Sequence, residues 1–130
     1  MQLRFFAGLA VLFLLLVACD GTVAEVENTI IPDKDVSFKA HIEKPLLIKC
    51  ATAGCHNNTT SAGGYTLTGY INITQPPFVY KFSPETSLLA LVINGTSPKQ
   101  MPPLGATTAP LTKNQVNGII TWIKEGAQDN

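Results

Sequence analysis

Apolar positions fall into blocks separated by stretches rich in Gly, Pro and Thr, and three of these blocks carry helical spacing. The last is the best specified. Val116, Ile119, Ile120 and Ile123 recur on one face with Trp122 beside it, so that face turns inward. Thr112 and Gln115 form a capping box, Leu111 and Val116 have the spacing of a hydrophobic staple, and Gly126 ends the run. A middle block predicts a helix with Ser83 as cap, Pro84 in its first turn, Leu88, Leu89, Leu91 and Val92 inside, and Gly95 as terminator. An earlier block starts at Ser37 and runs toward Lys49, with Phe38, Ile42, Leu46 and Leu47 on or near one face. Pro45 lacks the backbone donor that a helix interior needs, so a kink is expected there, or a new helix with Pro45 in its first turn. Positions 57–82 read as loop with short extended pieces, and the whole predicts an all-α domain with long loops.

The first apolar block is of another kind. Arg4 precedes a run from Phe5 to Val17 that is short for a membrane span, which marks residues 1–18 as a cleaved signal peptide. Leu16-Val17-Ala18-Cys19 resembles the bacterial lipobox, with lipid placed on Cys19; an uncleaved anchor, or an export signal with a coincidental Cys, is the alternative. Asp20, Glu25, Glu27, Asp33 and Asp35 stand against Lys34 alone, so residues 19–35 read as an acidic, solvated tether. Fully extended it spans about 50 Å at roughly 3.3 Å per residue. The remainder, 36–130, is one small domain. Nine basic and nine acidic residues give no net charge and no sign of a nucleic-acid partner. The expected location is outside the cytoplasmic membrane, on the periplasmic side of the inner or outer membrane or at the cell surface.

Candidate chemistry is concentrated in Cys50-Ala51-Thr52-Ala53-Gly54-Cys55-His56. A Cys pair followed at once by His is how a c-type haem is attached, the sulfurs bonding the porphyrin vinyl groups while the imidazole binds iron. The usual spacing has two residues between the cysteines, and here there are four; Gly54 tolerates the backbone angles a longer loop needs. A Cys50–Cys55 disulfide, a zinc site drawing on His41 and a further ligand, and chance are the competing readings. If Cys19 carries lipid and Cys50 and Cys55 carry haem, no odd thiol is left. Met101, the one Met of the mature chain, is the candidate for the second axial position, ahead of an open face and of His41. The bland reading of a lone Met is a core filler, and that of His41 a surface imidazole. Lys49, Lys81 and Lys99 are candidates for a docking patch near a haem edge, although scattered lysines more often serve solubility. Asn57, Asn58, Asn72 and Asn94 each begin an N-x-Thr triplet and read as polar loop residues.

From Val36 onward the chain resembles the small exported monohaem cytochrome c-like lipoproteins of Bacteroidetes and Planctomycetes. The matching stretches are Val36-Ser37-Phe38, Cys50 through His56, Gly63-Gly64-Tyr65-Thr66-Leu67, Met101-Pro102-Pro103, Leu111 to Gln115 and Trp122 to Ala127. The longer Cys spacing also occurs in that family. The resemblance implies a cytochrome c-like helical domain wrapped around one covalent haem c on Cys50 and Cys55, with His56 as proximal and Met101 as distal iron ligand. It implies a membrane-tethered carrier of single electrons between redox partner proteins, and no enzyme. Two rivals remain: an open-faced haem with peroxidase or sensor activity, requiring Met101 unbound, and a haem-free exported binding module with a Cys50–Cys55 disulfide and a ligand surface of Tyr65, Tyr70 and Tyr80.

Overall fold

The computed structural model of the chain describes residues 23–130. The expected signal peptide and Cys19 lie outside the described residues. Helices α1 (Val23–Asn28), α2 (Glu43–Lys49), α3 (Tyr70–Ile73), α4 (Leu88–Ile93) and α5 (Lys113–Lys124) are joined by turns and long loops, and no strand occurs among the described residues. The all-α expectation therefore holds.

Helix α5 is the axis. Thr112 Oγ1 accepts from Gln115 N–H while Gln115 Oε1 accepts from Thr112 N–H, so two orphan amides of the first turn are satisfied reciprocally. Its inward residues Ile119, Trp122 and Ile123 are buried against Phe38, Ile42 and Leu46. The Phe38 ring lies 5.4 Å from that of Trp122 and 5.3 Å, edge-on, from that of Tyr70. Gly126 follows the helix with φ +99°, the left-handed conformation that glycine adopts without strain.

The segment beginning at Ser37 divides as Pro45 requires. Phe38–Ile42 is a π-helical turn, Glu43 N–H donates to Phe38 O, and α2 then starts with Pro45 as its third residue, where a missing N–H costs least. The middle helix differs from expectation in its start. Ser87 Oγ is occupied, accepting from Tyr80 N–H and lying within hydrogen-bonding distance of the Ser83 and Tyr80 carbonyls. Ser83 to Ser87 therefore form turns, and α4 begins only at Leu88, although it ends before Gly95 as predicted. Within 57–82, Ala62–Gly64 is a 3-10 turn and Tyr70–Ile73 a helical turn, where extended pieces are the sequence expectation. Asn57 and Asn94 cap local turns by accepting backbone N–H groups two or three residues on.

The acidic stretch corrects the tether reading. From Val23 it is packed on the domain, and Val26, Ile31 and Val36 are buried. Gln115 Nε2 donates to Val26 O at 2.7 Å, Asn114 brackets both backbone groups of Ile31, and the Glu125 carboxylate accepts from Asp35 and Val36 N–H. Ile31 fits because Gly118 carries no side chain beneath it. The carboxylates meant for solvent instead meet cations: Glu25 pairs with Lys44, and Glu27 with Lys49.

Candidate functional site

The Cys50–His56 loop grows out of the last turn of α2. Cys50 and Ala51 N–H both donate to Leu46 O, and the loop closes when His56 N–H donates to Cys50 O at 3.1 Å. Cys55 N–H donates to Thr52 O, and Gly54 takes φ +80°, so the residue that makes the longer spacing possible is the one in the left-handed region. The backbone bonds of the loop thus set its two ends, Cys50 and His56, beside each other, with Cys55 in the turn between. All three are partly exposed, and Cys50 also packs against the core.

The imidazole is oriented by the segment that follows. Gly63 and Gly64, with φ of +64° and +83°, reverse the chain, and Leu67 N–H donates to His56 O at 2.8 Å. The carbonyl of Tyr65 then sits 3.1 Å from His56 Nδ1. With Nδ1–H donated to that carbonyl, Nε2 is the free, unprotonated nitrogen, which is the usual second-shell arrangement of a metal-binding His. The Tyr65 ring stacks on Phe78 at 4.9 Å, so the carbonyl is held by a packed side chain. Sequence reasoning missed this partner; the Gly63-Gly64 pair was its only signal.

Burial pushes the Cys50 thiol up to about 12, with Cys55 adding to the rise and the Lys49 charge opposing it. Cys50 is therefore a neutral thiol and a poor nucleophile, unlike an activated catalytic Cys. Among the described residues no three His, Cys, Asp or Glu side chains converge as a metal cluster. His41 is engaged elsewhere, its Nδ1 accepting from Ser37 N–H at 3.0 Å. The zinc reading thus lacks its ligand set.

Met101 lies in the segment after α4, where its N–H donates to Val92 O at 2.9 Å. It is half-buried and is not one of the side chains packed on the main core, which does not suit a core filler. Leu47, half-exposed one turn before Cys50, and Leu104, 96% exposed three residues after Met101, give both segments apolar surface. Thr52 Oγ1, inside the Cys loop, is buried with no hydrogen-bond partner, a state that costs about 1–3 kcal/mol. Two thiols and a tautomer-fixed imidazole in one loop, with Met101 as a further soft donor elsewhere in the chain, are the donor types a covalently attached haem takes.

Two other expectations change. Lys49 is 5% exposed, its ammonium paired with Glu27 and donating to Pro110 O at 2.8 Å, so it belongs to no docking patch. Tyr65 is stacked and Tyr70 donates its hydroxyl to Ala127 O, so only Tyr80 of the three tyrosines is exposed and they form no common ligand surface. An open groove of about 470 Å³ beside Phe38, Tyr70 and Asp129 includes none of the candidate ligands. No protein-family model, curated protein or solved structure matches the chain.

Proposed function

We propose that this protein is a monohaem c-type cytochrome of cytochrome c-like fold, exported behind a cleaved signal peptide, lipid-anchored through Cys19 and carrying single electrons between redox partners outside the cytoplasmic membrane. The observation that carries the reading is the His56 Nδ1 bond to Tyr65 O inside a loop that also holds two thiols. Cys50 and Cys55 would hold the haem, each thiol adding its S–H across one vinyl group, an addition that needs no net oxidation. His56, through Nε2, and Met101, through its thioether, would be the iron ligands. When bound, the group would supply a one-electron couple, which the soft sulfur of Met101 and apolar surroundings would tune. No side chain needs to act as acid, base or nucleophile.

The test is a haem stain and pyridine haemochrome spectrum on denatured protein made in a host with c-type maturation machinery, beside a Cys50→Ala, Cys55→Ala double variant. Covalent haem in the parent and none in the variant is the expected result. A colourless parent would end the electron-transfer reading and leave the disulfide-linked module. A Met101→Ala protein should keep its covalent haem and gain rapid cyanide or CO binding; if the parent binds these equally fast, the open-faced sensor or peroxidase takes its place.

A further inference from the structure

Val26 and Ile31 both dock on the first turn of α5, at Gln115 and Asn114, and the chain then passes along the helix to Val36, held by Glu125 just past its end. The π-turn and α2 run back the other way, from Phe38 beside Trp122 to Lys49, whose ammonium reaches Pro110 just before α5. Val23, three residues before Val26 in α1, and Cys50, next to Lys49, therefore both lie near the N-terminus of α5. Glu27 fastens this end by pairing with Lys49, and Glu25 pairs with Lys44 at the start of α2. Only four residue steps separate Cys19 from Val23, a reach of at most about 14 Å at 3.6 Å per residue, against the 50 Å of an undocked tether.

We propose that the domain rides on the lipid surface in a fixed orientation, with the Cys50–His56 end toward the headgroups. This rests on the reading of Cys19 as the lipid-bearing residue, and it makes the electron partner one resident in the membrane. The end so presented suits a headgroup layer, since Ile30 and Leu47 are exposed apolar side chains there and Lys113 is an exposed cation. The opposite end, with Gly126 and Asn130, lies beyond the far end of α5, about 17 Å away at 1.5 Å per residue.

The experiment uses full-length lipidated protein on phosphatidylethanolamine/phosphatidylglycerol vesicles containing a small fraction of nickel-chelating lipid. A spin label is carried on a ketone-bearing residue at position 113 or 129 in turn, which leaves the cysteines untouched. Nickel-induced relaxation several-fold stronger at 113 than at 129 is expected, and a twenty-residue Gly/Ser insertion after Thr22 should bring the ratio toward one. Equal relaxation at both sites, or stronger relaxation at 129, in protein that still floats with the vesicles overturns the orientation and leaves the anchor reading intact. Protein that does not float with the vesicles overturns the anchor, and the orientation with it.

Discussion

Gly118 is where docking of the 23–36 segment can be measured. A Cβ placed there would collide with Ile31 Cγ2 and lie 2.8 and 2.9 Å from Ile31 Cβ and Cδ1, so a stem atom and not only a side-chain tip must move. Overpacking of this kind costs about 1–3 kcal/mol, and three simultaneous contacts with a residue 2% exposed argue for the upper end, about 3. Gly118 is inside α5, so Gly118→Ala also gains about 1 kcal/mol of helix propensity. The expected net loss is about 2 kcal/mol. In an Ile31→Gly background, chosen because Ala would retain the offending Cβ, only the propensity gain remains and the same substitution should stabilise by about 1 kcal/mol. The coupling energy in the double-mutant cycle is therefore about 3 kcal/mol, well above the few tenths expected of independent sites. Urea unfolding followed by far-UV circular dichroism on the four proteins reads it directly. If Gly118→Ala stabilises the parent, or costs the same in both backgrounds, Ile31 does not lie on Gly118 and the strap is free.

Two further predictions test the charges around the loop. The folded-state thiol of Cys50 is raised to about 12 from 9, so in haem-free protein the unfolded chain loses this proton first as pH rises above 9. Stability should fall between pH 9 and 12, by up to about 1.4 kcal/mol per unit more than in Cys50→Ala, and the excess slope should vanish once the sulfur is a thioether. Parallel denaturant titrations from pH 8 to 10.5 would show it, and identical slopes would refute it. At the Lys49–Glu27 pair the lysine side chain is 2% exposed and the carboxylate 36%, so removing the partner that leaves the buried charge alone should hurt more. Glu27→Gln is expected to cost about 2–4 kcal/mol and Lys49→Met clearly less, since the freed carboxylate can hydrate; thermal melts in the reverse order would contradict the burial of Lys49.

What could be read from the sequence was what local chemistry decides. Thr112 with Gln115, Pro45 in a first turn, Gly95 and Gly126 as stops, and Gly54 in the Cys loop all act within a few residues, and each does what its type requires. The failures share a cause. Val26, Ile31 and Val36 are five residues apart, a spacing that matches neither helix nor strand, and their burial depends on partners some 90 positions away, Gln115 for Val26, Gly118 for Ile31 and Glu125 for Val36. Glu25 and Glu27 look like solvating charge until Lys44 and Lys49 are seen beside them. Ser83 is a good cap by type, but the hydroxyl of Ser87 is already tied to Tyr80 and delays the helix. In the candidate site, Cys50, Cys55 and His56 were legible from spacing, whereas the backbone carbonyl of Tyr65, having no side-chain identity, was not.

The strap also imposes an order of events. Its hydrogen bonds to Asn114, Glu125 and Asn130 span 83 to 93 residues of sequence, so they close the longest loops in the domain. A chain made from its N-terminus at about 5–20 residues per second finishes these partners roughly 5–20 s after the strap itself. Throughout that interval Val26 lacks Gln115 and Ile31 lacks Asn114 and Gly118, whereas the Glu27–Lys49 pair, 22 residues apart, can already close. If these long-range contacts close last, weakening them speeds how fast the finished domain comes apart far more than it slows assembly.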